Sequence, residues 1–306
     1  MRIVTLTLSA AYDVHCHANK IESGRENFVT LTETNAGGKG INISRALNSY
    51  GIQNTAIVVL GEENSYEFSK RLEKDGLNFQ TITVPGKIRQ NITIHTDDGE
   101  ETRISFGGCE ATADILGKIE SITDSILASG DILTFTGSIP DGVDIKEARE
   151  YVKRLEEKGI KVIVDCRSFS FSDIMDMKPF LIKPNEYEAQ SYIGMSLDEE
   201  SEARLAAEEL RSFGIENVMI TLGARGAVIA TSEGSFFELA PNIKALSTIG
   251  AGDSSIAGFI YALSHGFDSK MTLRAAVAFG SASCLESGTN PPEKEYVLKL
   301  LENGSF

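Results

Sequence analysis

The chain has no excess of basic residues, no paired cysteines and no long apolar run, and each absence narrows what it can be. Its 29 lysines and arginines face 44 aspartates and glutamates, a net charge of −15. That balance argues against a nucleic-acid-binding surface or a polybasic membrane contact, although a local basic pocket is compatible with it. The four cysteines, Cys16, Cys109, Cys166 and Cys284, are scattered with no C-x-x-C spacing. This is the usage of reduced, buried thiols rather than of a disulfide framework. The apolar opening MRIVTLTLSA is shorter than a signal segment with its flanks, and no later run approaches the roughly 20 apolar residues of a spanning helix. A cytoplasmic protein with neither nucleic acid nor membrane as partner is therefore expected. In that setting the N-x-[ST] triplets at Asn42, Asn91 and Asn303 carry no meaning. Low-complexity segments, internal repeats and linkers rich in Pro or Ser are missing too.

What is present is an α/β pattern. At 306 residues and 42% hydrophobic content, the chain can bury a large core without staples. The runs Ile3 to Leu8, Ala56 to Leu60, Asp131 to Gly137, Lys161 to Cys166 and Asn217 to Gly223 are nearly continuously apolar, as strands buried on both faces are. Helical patterns lie between them at Ile41 to Tyr50, Ser65 to Asp75, Ala111 to Leu127, Ile145 to Lys158 and Ser201 to Phe213. Gly51, Gly76, Gly159 and Gly214 stand where helices end. Alternation of this kind predicts a mainly parallel central sheet flanked by helices. Two stretches, Val14 to Thr34 and Arg89 to Phe106, alternate polar and apolar residues instead, with Asp98-Gly99 as a turn. They predict a small β-sheet with one wet face. The expected organisation is one domain over 1–306 with an excursion at about 12–36 and 88–107.

Two glycine clusters point to chemistry. In NAGGKGINISRALNSYG, Asn35 to Gly51, Glu33 occupies the position of the first glycine of a Walker A loop, and Gly40 follows Lys39 where Ser or Thr belongs. There is also no G-x-G-x-x-G. What remains is a glycine turn opening a helix, with Lys39 at the turn and Asn42 in its first turn, a setting that suits an anionic ligand. A tight turn with a solvated lysine is the plainer alternative. In STIGAGDSS, Gly250, Ala251 and Gly252 open a helix whose expected core face is Ile256, Phe259, Ile260 and Leu263. Small residues there leave backbone N–H groups bare at the positive end of the helix dipole. Asp253 either serves chemistry or simply complements that dipole. Asn185 to Glu188 has the spacing of a capping box.

In their order, Asp13 in TLSAAYD, the Gly37-Gly38-Lys39-Gly40 turn, FTGSIPDGV from Phe135, KPNEYEAQ from Lys183, TLGARGAV from Thr221 and STIGAGDSS from Ser247 resemble the PfkB carbohydrate kinases, of ribokinase-like fold. The branch of 1-phosphofructokinase and tagatose-6-phosphate kinase is the most similar. The resemblance spans essentially the whole chain and implies an ATP- and Mg²⁺-dependent kinase. Asp253 is then the base that deprotonates the acceptor hydroxyl, and Gly250, Ala251 and Gly252 form the anion hole for the γ-phosphoryl group. Asp13, Gly38 and Asn42 correspond to residues that hold sugar hydroxyls. Lys183 corresponds to a lysine near the ATP phosphates. Asn185 and Glu188 also organise Mg²⁺ and its waters, and Thr221, Gly223 and Gly226 form the turn that approaches ATP. Lys39, Arg89 and Arg103 with Ser138 are expected to converge on a phosphate carried by the substrate, a solvated face being the alternative for Arg103. The small sheet is expected to be a lid that excludes water and pairs two subunits as a homodimer.

The chain departs from that branch in three places. Ser9-Ala10 stands where Asn-Pro is usual, Arg103 and Ser105 lie where an acidic residue and Asn are usual, and Cys166-Arg167-Ser168 replaces a Thr-Ser-Gly-like stretch. All three fall on the sugar side, so the exact sugar is open between fructose 1-phosphate, tagatose 6-phosphate and an unphosphorylated sugar or nucleoside. A non-catalytic sugar- or nucleotide-binding regulator of the same fold is the reading from a different class. Arg167 reads either as a replacement phosphate ligand or as half of a surface salt bridge. His15 and His17 share one face of a strand, but no further metal ligand stands at useful spacing, so a sugar contact or lid packing is the better reading.

Overall fold

A computed structural model describes residues 1–303; the triplet at Asn303 runs into residues outside that range. Nine strands form the main sheet: β1 (Ile3–Thr7), β4 (Thr55–Gly61), β5 (Phe79–Val84), β8 (Ile132–Thr136), β9 (Lys161–Asp165), β10 (Leu181–Ile182), β11 (Asn217–Thr221), β12 (Ala227–Thr231) and β13 (Gly234–Glu238). Their spatial order is β13-β12-β11-β10-β9-β8-β1-β4-β5. All neighbours run parallel except β11–β12 and β12–β13, an antiparallel hairpin at one edge. β1 and β8 are buried along their whole length, because helices cover both faces and leave no side chain on them in water.

The helices are α1 (Lys39–Ser49), α2 (Ser65–Lys74), α3 (Ile115–Ile126), α4 (Ile145–Glu157), α5 (Phe171–Met177), α6 (Glu186–Ile193), α7 (Glu200–Ser212), α8 (Ala251–Ser264), α9 (Ser269–Ser283) and α10 (Lys294–Asn303). One core cluster holds Phe135, Tyr151, Leu155 and Leu210, and another Leu47, Ile256, Phe259 and Phe279. α3 starts four residues later than the apolar pattern from Ala111 predicts. The Ala111 N–H is held by the Asp141 carbonyl and the Thr112 hydroxyl by Asp114, so the first turn forms only after Asp114. α8 is less one-sided than its i, i+3, i+4 pattern suggests: it packs against α1 and α9, and every residue from Asp253 to Ile260 is buried.

The small sheet consists of β2 (Ala11–Ala18), β3 (Thr30–Gly37), β6 (Arg89–Thr96) and β7 (Glu101–Ser105), in the order β3-β2-β6-β7. The turn at Asp98-Gly99 joins β6 to β7, with Gly99 at φ 85°. Register places Asp13, Arg89, Asn91, Thr93 and Arg103 on one face, and Val14, Cys16, Leu31, Ile92, Ile94 and Ile104 on the other. β3 runs directly into α1 at Gly37-Gly38, which fixes where the small sheet stands over the main one.

Candidate active site

β1, β8 and β9 end side by side, Thr7 opposite Thr136 and Thr136 opposite Asp165. The carboxyl edge of a parallel sheet is where open α/β folds bind ligands. Asp165 is buried there, with Lys39 Nζ 2.9 Å and Lys183 Nζ 3.4 Å from its carboxylate. Burial pushes the Asp165 pKa up, but the two ammonium groups outweigh it and hold the carboxyl below its ordinary value. For Lys39, burial acts downward, and Asp165 and then Asp253 more than reverse it, so its charge is secure. Asp165 was not singled out from sequence. The available signal was an acidic residue ending a buried parallel strand.

Asp253 sits in the first turn of α8, buried. Desolvation raises its pKa from 3.8 to about 6, against the pull of Lys39 and the Asn42 hydrogen bond. Asn42 Nδ2 donates to Asp253 Oδ2 at 2.8 Å, leaving the other carboxylate oxygen for a ligand. The Asn42 amide is itself oriented: Arg45 donates to Asn42 Oδ1 at 3.3 Å and to Asp75 at 2.8 Å. Arg45, another residue that sequence reasoning missed, is thus a buried positioning residue for Asn42.

The N-terminus of α8 has no side-chain cap. Gly250 is at φ 81°, a conformation that only glycine adopts without strain. A methyl on Gly252 would stand 3.1 Å from Lys183 Nζ, so that ammonium reaches the bare turn. Ala251, Gly252 and Ser255 also line a cleft of about 890 Å³, together with Asn185, Thr221, Gly223 and Gly226. That volume suits a nucleotide-sized ligand. The first turn of α8 therefore has the cleft on one side and the Asp253–Asn42 pair on the other. Gly226 has a packing reason of its own, since a methyl there would lie 2.0 Å from the Glu238 carbonyl oxygen. Asn185 and Glu188 form a reciprocal capping box at 2.9 Å each way, which occupies only Oε2 of Glu188.

On the sugar side, Asp13 accepts from Asn91 Nδ2 at 2.9 Å. Gly37 is glycine for close approach: an added methyl would lie 2.0 Å from Asp13 Oδ2. Asn35 Nδ2, Asn91 Oδ1 and Arg89 Nε are buried without a partner, and buried polar atoms of that kind call for a ligand's polar groups. Gly38 caps α1. Ser138 lies half-buried in a loop fastened at Gly137, whose N–H meets the Asp165 carbonyl, and at Ile139, whose N–H meets Ser168 Oγ, both at 3.0 Å. Arg103 is exposed on the face it shares with Asp13. Lys39 and Arg89 answer to different charges. Lys39 is bound into the Asp165–Lys183–Asp253 group, whereas the charges that act on Arg89 are those of Asp13 and Arg167. His15 is buried, its ring stacked on His95 at 5.7 Å, and a methyl on Gly288 would come within 3.0 Å of its Nε2. His17 pairs with Asp97. Both thus serve packing and pairing, and among the described residues no group of His, Cys, Asp or Glu is arranged to hold a metal.

A buried carboxylate with a free oxygen, a helix N-terminus with no side-chain cap, two lysines and a nucleotide-sized cleft together make a site for moving a phosphoryl group onto a hydroxyl. Comparison with known proteins agrees. Residues 7–295 match the pfkB family carbohydrate kinases, and the chain belongs to that family. It is 32% identical over 303 residues to 1-phosphofructokinase of Haemophilus influenzae, covering 98% of this chain and 96% of that protein. It is likewise 32% identical over 302 residues to 1-phosphofructokinase of Escherichia coli, with the same coverage. Among solved structures, phosphofructokinase-2 of Escherichia coli in complex with substrates and products superimposes with a TM-score of 0.92 at 28% identity, over 99% of both chains. Among the described residues no helix is long and apolar enough to cross a membrane.

Proposed function

We propose that the protein transfers the γ-phosphoryl group of ATP to a hydroxyl of a sugar phosphate, with fructose 1-phosphate or tagatose 6-phosphate as the leading acceptors. The observation that carries this reading is Asp253, buried and raised toward neutrality, oriented by Asn42, and set in the bare first turn of α8. A carboxylate with a raised pKa is a better base. Asp253 takes the proton from the attacking hydroxyl as the new O–P bond forms and the bond from the γ-phosphorus to the ADP oxygen breaks. The N–H groups of Ala251 and Gly252, with Lys183, meet the charge on the phosphoryl oxygens. Lys39 is assigned here to that same phosphoryl group rather than to the substrate's own phosphate. Asp13 and Asn91 hold sugar hydroxyls, and Arg89 and Arg103 face the substrate's anion. The purine and phosphates of ATP are assigned to the cleft between Asn185 and Cys284.

The donor set fits a Mg²⁺ held largely by phosphates and water, with Glu188 Oε1 as the protein carboxylate within reach. A cavity of about 10 Å³ lined by Asp165, Lys183 and Glu188 has room for a single water. When bound, the ion neutralises charge across the ATP phosphates.

The small sheet is read as a lid that pairs two subunits. Leu31 and Ile104 are 62% and 45% exposed on the face opposite Asp13, with Phe106 at the end of the sheet 51% exposed, a surface that a second copy would cover. Light scattering should give a dimer, and Leu31→Asp with Ile104→Asp should give monomers.

ADP release should be followed with ATP and Mg²⁺ across fructose 1-phosphate, fructose 6-phosphate, tagatose 6-phosphate, fructose and nucleosides. Turnover greatest with a sugar phosphate is expected. Turnover only with unphosphorylated acceptors overturns the substrate class, and none at all favours a binding protein.

A further inference from the structure

Arg167 lies just beyond the end of β9, in a turn that Ser168 fastens to the Ser138 loop through the Ile139 N–H at 3.0 Å. Arg89 opens β6, its aliphatic stem against Gly108, where an added methyl would come within 3.5 Å of Cδ. The two guanidinium groups stand within electrostatic reach of each other. Burial lowers the Arg89 pKa, Asp13 raises it, and Arg167 lowers it again. Arg89 Nε is buried without a partner.

Among the described residues, Arg167 makes no ion pair or hydrogen bond, so the surface salt bridge is not formed. Neither Arg89 nor Arg103 has such a partner. Every other arginine holds a carboxylate or a backbone carbonyl: Arg2, Arg25, Arg45, Arg149, Arg154, Arg204, Arg225 and Arg274 the former, Arg71 and Arg211 the latter. In a chain of net charge −15, acidic partners are abundant. Two like charges brought together at the ligand-binding edge of the sheet, beside the sugar-binding face of the small sheet, therefore mark a place for an anion. Guanidinium groups present forked donors that match phosphate oxygens.

We propose that Arg167 determines specificity: with Arg89 it clamps the phosphate that the sugar already carries, so that this chain grips the substrate's anion from the main sheet as well as from the small one. The proposal rests on the sugar-phosphate reading above. It gives Arg167 a role toward substrate binding and none in the transfer step.

The test measures binding of fructose 1-phosphate, fructose 6-phosphate and tagatose 6-phosphate by calorimetry, and of ATP separately, for the unmodified protein, Arg167→Ala and Arg167→Lys. Loss of one charged hydrogen-bonding arm should weaken the bound sugar phosphate by about 10- to 100-fold. Affinity for ATP should stay within about twofold and the unfolding midpoint should hold, because Arg167 is exposed and unpaired. Lysine should restore part of the loss, and KM for the sugar phosphate should rise with kcat little changed. Sugar-phosphate binding equal to that of the unmodified protein overturns the proposal, as does an equal weakening of ATP. Failure of the unmodified protein to bind any sugar phosphate overturns the substrate reading itself and this inference with it, a result distinct from an unaltered variant.

Discussion

Replacing Asp253 with asparagine should move turnover and stability in opposite directions. The Asp253 carboxyl rises from 3.8 to about 6 on folding, chiefly through burial. At about 1.36 kcal/mol per unit, holding it ionised at pH 7 costs the folded state on the order of 3 kcal/mol, the attraction of Lys39 being already contained in the net shift. The sign follows from linkage. The folded protein binds this proton more tightly than the unfolded chain, so the cost is absent below the unfolded value, grows as pH rises between 3.8 and about 6, and is complete above that. Asparagine carries no charge to desolvate, fits the same space and retains an oxygen for the Asn42 amide. The variant should therefore unfold about 5 °C higher at pH 7 for a chain of this size, and the difference should shrink toward pH 4. Removal of the base should at the same time lower kcat by about 10²- to 10⁴-fold, with ATP and sugar binding largely kept. Thermal melts at the two pH values and steady-state kinetics check both. Turnover within about threefold of the unmodified protein would refute Asp253 as base, and a lowered midpoint at pH 7 would refute the account of its pKa.

Three further outcomes follow from the same geometry. The acid limb of kcat/KM should fall near pH 6, where Asp253 takes up its proton in the free enzyme; a limb near 4 contradicts a buried base. Asp165→Asn leaves Lys39 and the buried Lys183 facing a neutral amide, and denaturant unfolding should show a loss of about 3–5 kcal/mol. Gly37→Ala drives a methyl into Asp13, whose Oδ2 is 2.0 Å from that position. kcat/KM for the sugar should drop on the order of 10²-fold while KM for ATP is unchanged.

Periodicity and glycine placement were enough to read the α/β class, most strand and helix positions, the separate small sheet and the Asp98-Gly99 turn, because each depends on neighbours a few residues away. The Asn185–Glu188 capping box was legible for the same reason. The residues of the site were legible largely one at a time. Asp253 read equally as a dipole-complementing aspartate until the fold buried it beside Asn42, 211 residues away in sequence. Asp165 and Arg45 carry no local motif, and the partners that fix them, Lys39 and Lys183 for the one and Asp75 for the other, come from separate segments.

Lys39 shows the difference most directly. Its glycine turn left two readings open, an anion ligand or a solvated lysine on a tight turn. What it meets depended on β9, β8 and β1 ending side by side, so that the ammonium lies against Asp165. Local composition sets which groups a segment can offer, since backbone conformation and charge type are properties of a few adjacent residues. Which of those groups share a site, and at what pKa, is decided by burial and by charges brought together across the sheet edge, and these exist only in the folded chain.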